Sequence, residues 1–178
     1  MRGIHWFRND LRLRDHVALL ALADRVEEWA PVFVLDPRLL DESLRRPRDR
    51  FLIECLRSLE RELEERGVPL FTPKGRPELV LPRLMRRLGA DLLTFNESDG
   101  LYAHRRDAEV VRACEEAGHS VLTFRDATVH PPEAIRTKTG GVYGVFTPYR
   151  RAWWTAWHDA PRLPTRLRLP ARSIPVEP

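Results

Sequence analysis

The first loop of the chain concentrates charged side chains that could hold an anionic or planar ligand. Arg8, Arg12 and Arg14 lie on either side of Asp10 there. Guanidinium groups bind carboxylates and phosphates through paired, charge-assisted hydrogen bonds, so a ligand site is one interpretation. In the other, Asp10 pairs with Arg8 and Arg12 and holds the loop in place. The second interpretation is favoured, and the two are compatible.

Other reactive residue types are scattered along the chain. The histidines lack the paired spacing of a metal site, so each is predicted to be structural or solvated. They are His5, His16, His104, His119, His130 and His158. Cys55 and Cys114 are too few for a disulfide framework or a zinc site of their own, and Cys55 is predicted to pack in the core. No glycine-rich segment follows the first apolar run, which argues against a dinucleotide fingerprint and a phosphate-binding loop.

The last quarter of the chain combines tryptophan with positive charge. Trp153, Trp154 and Trp157 lie beside two consecutive arginines, and residues 134–178 hold eight of the 30 basic residues but only two of the 26 acidic ones. Such a segment could bind single-stranded nucleic acid. The favoured alternative is an amphipathic helix whose aromatic face packs on this domain or on another one, since a small domain rarely leaves three tryptophans in water.

Length and composition indicate a globular protein. The chain has 178 residues, of which 43% are hydrophobic and 31% are charged. These values fit a single domain and exclude an intrinsically disordered chain. No run approaches the roughly 18 apolar residues that a membrane span requires, and the first residues lack the pattern of a secretory leader. A cytoplasmic protein without a membrane partner is therefore expected.

Apolar runs and helical periodicity alternate along the chain. Strands are predicted at residues 2–8, 31–35, 68–71, 91–95 and 120–124. Helices are predicted between them, the first with Asp15 as its N-cap and the others at residues 48–66, 77–88 and 105–117. This alternation predicts an α/β fold, a three-layer Rossmann-like domain with a five-stranded parallel sheet flanked by helices.

In such a sheet, ligands bind outside the carboxyl ends of the strands, where the strand order reverses. The loops after the first, second and fourth predicted strands are therefore expected to form any ligand site. These loops are residues 9–14, 36–47 and 96–104. Arg48 begins the helix after the second loop and could either contact a ligand or cap that helix, and the capping or solvated role is favoured.

The pattern changes after the last predicted strand. Gly140 and Gly141 predict a small hairpin, and Thr147 followed by Pro148 predicts the start of a final helix. Residues 159–178 hold five prolines and no apolar periodicity. They are expected to form a linker or a tail outside the core.

Five stretches occur in the order and spacing of one known family. They are WFRNDLRLRDHVAL, VFVLDP, FLIECLRSLERELEERGVPL, YAHRRD and VYGVFTPYRRAW. Together they resemble the amino-terminal α/β domain of the DNA photolyase and cryptochrome family over residues 2–158. The opening stretch and the VFTPY stretch are the most specific of the five.

The resemblance implies a domain that holds an accessory light-harvesting chromophore, the antenna. It also implies a larger helical domain on the carboxyl-terminal side, which binds FAD and damaged DNA and splits pyrimidine dimers by electron transfer from reduced FAD. That helical domain is the implied partner of this chain. The region that matches the family ends before the helical domain begins. We therefore expect residues 1–158 to form the α/β domain, residues 159–178 to be an interdomain linker or tail, and the chain alone to be non-catalytic.

The resemblance also implies an antenna site. Phe33, Asp36 and Arg48 match the flavin-type pocket of the family, whereas Tyr102 and Ala103 stand where folate-binding members have an Asn-Glu pair. FMN or a deazaflavin is therefore expected rather than a folate, with FAD only in the helical domain. The expected antenna-binding residues are Arg8, Phe33, Asp36, Arg48, Asn96, Asp99 and Tyr102, and the expected structural ion pairs of the first loop involve Asp10 and Arg12.

Two stretches depart from the family pattern. At the start of the first helix, Asp15 is followed by His16, where the family commonly has Asp-Asn. The acidic pair of flavin-type members is moved or absent within residues 96–102. Three alternatives stay open at this point. The chain could belong to a cryptochrome photoreceptor, it could be a stand-alone nucleotide- or ligand-binding module without catalysis, or it could bind nucleic acid through its tryptophan-rich end.

Overall fold

The structure is a computed structural model that describes residues 1–39, 46–126, 128–131, 133–157, 169–170 and 172–175. Its strands are β1 (Arg2–Phe7), β2 (Glu28–Phe33), β3 (Leu92–Asn96), β4 (Ser120–Phe124) and β5 (Arg172–Ser173). Its helices are α1 (Val17–Ala23), α2 (Pro47–Glu64), α3 (Pro77–Leu88), α4 (Leu101–Glu116) and α5 (Phe146–Trp157). None of the helices within these ranges is long and apolar enough to cross a bilayer.

The strands form one parallel sheet in the order β4-β3-β1-β2-β5. β1 lies at the centre, pairs with β2 along its whole length and pairs with β3 on its other side. The chain passes from β1 to β2 in one direction and then returns to β3 in the other, so the strand order reverses beside β1. The predicted α/β fold with a five-stranded parallel sheet is confirmed.

Helices cover both faces of the sheet and complete the three layers. Successive side chains of a strand point to opposite faces. Ile4 and Trp6 of β1 therefore pack in the cluster that contains Leu81 of α3, whereas Phe7 packs in the cluster that contains Leu59 of α2. Both clusters are apolar and buried, as expected for a parallel sheet that is covered on both faces.

The predicted third strand, residues 68–71, is not a strand in the structure. Among the described residues, the backbone of this part of the chain pairs with β2 and the residues that follow β2 only through two isolated bridges, at Phe71 and Lys74. Pro69 and Pro73 lie in the same stretch and have no N–H to donate. Proline interrupts a hydrogen-bonded ladder for this reason, so an apolar run is not enough to form a strand here.

The fifth strand comes instead from the end of the chain. Arg172 and Ser173 pair with the start of β2, and Ile174 is 1% exposed within the core. The expectation that residues 159–178 lie outside the core is therefore wrong for Ile174 and for Leu169, which packs against the other core cluster. A two-residue strand followed by one buried isoleucine is too short to produce a periodic pattern. Residues 158–168 lie outside the described residues.

Two helices begin at different residues from those predicted. α1 begins after His16, whose side chain accepts a hydrogen bond from the first helical turn. Asp15 has a φ of 47° and is not the cap. α4 begins at Leu101 and not at residue 105, because Gly100, with a φ of 119°, turns the chain into the helix.

Beyond β4, the chain forms a turn where a hairpin was predicted. The Thr137 N–H donates to the Gly141 carbonyl oxygen, and residues 133–145 contain no strand. α5 begins at Phe146, so Thr147, which was predicted to cap the helix before Pro148, lies within its first turn. None of its side chains is buried, so the helix does not pack into the core of this domain.

Gly3 allows α1 to approach β1 closely. A Cβ atom at Gly3 would lie 2.5 Å from Leu22 Cδ1 and 2.9 Å from Val26 Cγ1. Both neighbours are buried, so they cannot withdraw without disturbing the core. We expect Gly3→Ala to lower the free energy of unfolding by about 1–3 kcal/mol in urea denaturation.

Gly144→Ala is the matched control for this substitution. A Cβ atom at Gly144 would meet nothing within 4 Å, so its effect should stay within about 0.5 kcal/mol. Equal denaturation midpoints for the two variants would contradict the prediction.

Candidate functional site

A cavity of about 890 Å³ opens at the carboxyl ends of β1, β2 and β3. Its walls come from the loop after β1, the residues after β2, the first turns of α2 and the start of α4. The strand order of the sheet reverses at this edge. The loops that follow the parallel strands therefore lie close together here. Six of the expected antenna-binding residues line the cavity, namely Arg8, Phe33, Asp36, Arg48, Asp99 and Tyr102.

Arg8 lines the cavity and is bound to α4. Its Nη1 donates to both carboxylate oxygens of Asp107, at 2.6 and 2.7 Å. The guanidinium carbon lies 4.9 Å from the centre of the Trp6 ring and 4.8 Å from that of Phe95. Burial lowers the pKa of Arg8, although Asp107 opposes this effect. Its Nε and Nη2 have no hydrogen-bond partner among the described residues, so the guanidinium has donors that the protein does not use.

Arg106 and Tyr102 extend this surface of cations and aromatic rings. They are four residues apart on α4 and therefore lie on the same face of the helix. Arg106 Nε and Nη2 donate to Asp107 Oδ1 at 3.0 and 2.8 Å. The guanidinium carbon of Arg106 lies 5.1 Å from the centre of the Trp6 ring and 5.7 Å from that of Tyr102. Two arginines thus share one carboxylate beside aromatic rings, an arrangement that suits a flat or anionic group.

Asp36 is already bound within the protein. Its Oδ2 accepts hydrogen bonds from Arg38 Nη2 at 2.8 Å and from the Tyr102 hydroxyl at 2.7 Å. Arg38 also donates to Glu78 of α3 at 3.1 Å. Burial alone would raise the pKa of Asp36, but the hydrogen bonds from Arg38 and Tyr102 lower it overall. Burial and the bond to Asp36 raise the pKa of Tyr102 to about 12. Asp36 is therefore a carboxylate that orients Tyr102.

The mouth of the cavity combines one arginine with exposed apolar side chains. The Arg48 side chain is 68% exposed, and its Nη2 donates to the Leu39 carbonyl oxygen at 3.0 Å. Phe51 and Leu101 also line the cavity and are 72% and 80% exposed. Cys55, which was predicted to pack in the core, is instead half-buried and lines the same cavity. Large apolar side chains exposed around a cavity indicate a surface that a ligand or a partner covers.

Asn96 and Asp10 belong to a buried polar cluster near the first turn of α1. Asn96 Nδ2 donates to Asp10 Oδ2 at 2.8 Å, and His16 Nε2 lies 3.0 Å from the same oxygen. Asp10 Oδ1 accepts the Arg8 backbone N–H at 3.0 Å. Burial alone would raise the pKa of Asp10, but the hydrogen bonds from His16 and from the Arg8 backbone N–H hold it well below its ordinary value. Asn96 also accepts the Ala18 N–H at 3.3 Å, and it is not among the cavity-lining residues.

The two arginines of the first loop pair with distant carboxylates and not with Asp10. Arg8 pairs with Asp107 of α4, and Arg12 Nη2 lies 2.6 Å from Asp126 Oδ2. Because side chains alternate along β1, Arg8 continues the face of the sheet that α3 and α4 cover. The Asp10 carboxylate instead accepts bonds in the polar cluster just described. Arg8, Asp10 and Arg12 therefore each have a partner, but the partners differ from those predicted.

Sequence reasoning missed several residues that build the site. Arg106 and Asp107 lie in the YAHRRD stretch that carried the family resemblance, yet neither was assigned to the site. The four-residue spacing of Tyr102 and Arg106 was the available signal. Placing the start of the helix at residue 105 hid this spacing, since Tyr102 then fell in a loop.

Comparison with known proteins supports the likeness seen in the sequence. The sequence model described as DNA photolyase matches residues 3–168 of this chain. The chain is 29% identical over 176 residues to a deoxyribodipyrimidine photo-lyase of Synechococcus sp. strain PCC 6301. That alignment covers 98% of this chain and 35% of the relative.

Two solved structures share the fold. An archaeal photolyase from Sulfolobus tokodaii, described with two FAD molecules and the implication of a novel light-harvesting cofactor, matches with a TM-score of 0.73 at 26% identity. The match covers 93% of this chain and 36% of that one. A Synechocystis sp. PCC6803 cryptochrome matches with a TM-score of 0.85 over 99% of this chain and 38% of that one, at 21% identity, which shows the fold alone. The chain thus spans about a third of the length of these relatives.

Proposed function

Because this chain belongs to the DNA photolyase family, whose model matches residues 3–168, we propose that it is the antenna-binding domain of a light-driven DNA repair enzyme. In the whole enzyme, reduced FAD in a helical domain would split pyrimidine dimers by electron transfer. A pigment bound to the present domain would absorb light and pass excitation energy to that FAD. The observation that carries this proposal is the cavity of about 890 Å³ at the reversal of strand order.

The lining of the cavity favours a flavin-type ring as the pigment. Its volume lies within the range of roughly 300–1,000 Å³ that is typical of small-molecule sites. Phe33 and Tyr102 line it and offer ring faces on which a flat aromatic ligand can rest. Arg8 and Arg106 line the same cavity and place positive charge beside its aromatic rings. FMN or a deazaflavin supplies such a flat ring, and Tyr102 and Ala103 stand where folate-binding members of the family have an Asn-Glu pair, so we infer this class in preference to a folate.

Arg48 is the residue proposed to bind the charged or polar end of the pigment. It lies in the first turn of α2 at the mouth of the cavity, with most of its side chain exposed. A guanidinium can meet a phosphate, a carboxylate or a ring oxygen with two parallel hydrogen bonds, which a lysine cannot reproduce. Among the described residues, Arg48 donates to the Leu39 carbonyl oxygen and lies 3.6 Å from a carboxylate oxygen of Asp49, and most of its side chain remains open to a ligand.

The test is a fluorescence titration of the purified chain with FMN and with a deazaflavin. We expect saturable binding of at least one of them. Arg48→Ala should weaken this binding tenfold or more, since a hydrogen bond to a charged group contributes about 1.5–3 kcal/mol. A folate added under the same conditions serves as the comparison ligand and should bind more weakly.

Arg57→Ala is the matched control for Arg48→Ala. Arg57 lies on the same helix, is largely exposed and pairs with Glu54, and it does not line the cavity. Its replacement should leave flavin affinity unchanged. The proposed pigment class would be refuted if the chain, shown to be folded by circular dichroism, bound no flavin-type ring at high concentration. Equal losses in the two variants would refute the role of Arg48.

α5 is the proposed contact with the rest of a photolyase-length protein. Phe146, Trp154 and Trp157 on this helix are 71%, 55% and 43% exposed. The Trp153 and Trp157 rings stack with centroids 5.2 Å apart, so the helix presents a continuous aromatic face. Such a face is rarely left in water, and no α5 residue is buried against this domain. We therefore propose the FAD-binding helical domain as its partner, and damaged DNA would bind through that domain.

A further inference from the structure

We propose that His5, Asp10 and His16 form a binding site for a divalent metal ion of the zinc type. His5 lies on β1, Asp10 in the loop that follows, and His16 at the N-terminus of α1. One potential ligand atom of each residue lies within 4.8 Å of those of the other two. Two imidazole nitrogens and one carboxylate oxygen are a ligand set that zinc accepts, with a fourth position for water.

His5 carries a buried nitrogen that the protein does not use. Its ring is fully buried, and its Nδ1 lies 2.9 Å from Thr94 Oγ1, whereas its Nε2 has no hydrogen-bond partner among the described residues. A buried polar atom without a partner is unfavourable, so its presence calls for an explanation. This Nε2 is the nitrogen of His5 that could bind a metal ion.

His16 and Asp10 already bring a nitrogen and an oxygen together. His16 Nε2 lies 3.0 Å from Asp10 Oδ2. His16 Nδ1 accepts the Leu19 N–H, so the Nε2 carries the proton and donates it to the carboxylate. A metal ion would replace that proton, with Nε2 and Oδ2 as two of its ligands, and the proton would pass to solvent. Binding should therefore weaken as the pH falls.

Neighbouring groups hold each proposed ligand in its orientation. Thr94 binds the other nitrogen of His5, and the Leu19 N–H binds the other nitrogen of His16. Asn96 donates to the carboxylate of Asp10 at 2.8 Å. Metal-binding histidines and carboxylates are commonly fixed by such outer partners. The bound ion would join the central strand to the first helix through the intervening loop.

The test uses purified chain that has been stripped with a chelator. Zinc affinity is measured by competition with a chromogenic chelator, and thermal unfolding is followed with and without zinc. We expect one zinc per chain, with the melting temperature raised by roughly 5–10 °C when free zinc is about 100 times its dissociation constant. Flavin binding is not part of the readout, so the outcome is independent of the antenna proposal.

His16→Asn is the decisive variant, because asparagine is a preferred N-cap residue and should preserve the start of α1. Loss of an outer partner alone reduces metal affinity about 10–100-fold, so loss of a ligand should reduce it at least 100-fold. His5→Gln should have a similar effect while it leaves the contact of His16 with Asp10 in place.

His104→Ala is the control, since His104 is exposed on α4 and is not part of the group. It should bind zinc as the unaltered chain does. The proposal would be overturned by a folded chain that binds no zinc. It would equally be overturned by a His16→Asn variant with unchanged affinity, or by a His104→Ala variant that loses affinity as much as His16→Asn does.

Discussion

Replacing Asp107 with alanine is expected to lower the free energy of unfolding by about 3–5 kcal/mol, because the change leaves buried charge without its partner. Asp107 accepts hydrogen bonds from both Arg8 and Arg106, and all three residues are at most 8% exposed. Both guanidinium groups are largely buried, so removal of the carboxylate leaves them without their ionic partner. Urea denaturation followed by far-ultraviolet circular dichroism measures the effect.

Glu54→Ala provides the comparison for an exposed ion pair. Glu54 and Arg57 are 2.8 Å apart, and their side chains are 67% and 65% exposed. Loss of this ion pair should change the free energy of unfolding by less than about 0.5 kcal/mol. If Asp107→Ala lowered the free energy of unfolding by no more than Glu54→Ala does, the buried ion pair would not be important for stability.

A double-mutant cycle assigns the effect of Asp107→Ala to its arginine partner. Arg8→Ala, Asp107→Ala and the double variant should show a coupling of at least about 1 kcal/mol, since residues in one ion-pair network are not additive. Additive losses would place the origin of the destabilisation elsewhere, for example in helix α4 itself.

Asp10→Ala is expected to lower the free energy of unfolding of chelator-treated protein by about 1–3 kcal/mol, since it leaves buried donors without an acceptor. The donors are the Arg8 backbone N–H, Asn96 Nδ2 and His16 Nε2. They lie directly after β1, at the end of β3 and at the N-cap of α1, so the carboxylate connects three parts of the fold. The readout is the urea midpoint together with the flavin affinity of the folded variant.

Asp24→Ala is the matched control, because Asp24 is exposed at the end of α1. It should leave the midpoint within about 0.5 kcal/mol of the unaltered chain. An unchanged midpoint for Asp10→Ala, combined with weaker flavin binding, would reverse the assignment and make Asp10 a ligand-binding residue first.

The sheet was predictable where apolar runs pair over several residues. β1, β2, β3 and β4 lie within two or three residues of their predicted positions, and α3 matches its prediction from Pro77 to Leu88. The misplaced strand had an apolar run without continuous pairing, because prolines interrupt it. The strand that replaced it has two residues. Local sequence patterns predict which residues are buried and which backbone conformation they prefer. Neither property identifies a short segment that pairs with a strand far away in the sequence.

The edge of the sheet that bears the cavity was predictable, because parallel strands bring their carboxyl ends together. The partners of individual charges were not. Arg8 and Asp107 are 99 positions apart, so no local spacing relates them. Asp10 lies between two arginines in the sequence, yet its carboxylate accepts hydrogen bonds from a histidine and an asparagine. The histidines looked unrelated for the same reason, since the fold and not the spacing brings His5 and His16 together.

Because β5 follows the other strands in the chain, the sheet is completed only after they have been synthesised. The amino-terminal strands leave the ribosome first, whereas Arg172 and Ser173, which pair with the start of β2, leave after all of them. Until then the edge of β2 has backbone groups free for pairing with another chain, which promotes aggregation. Pairing between such distant segments also slows folding. A recombinant fragment that stops at residue 158 would keep this edge open, whereas one that continues through residue 175 closes it.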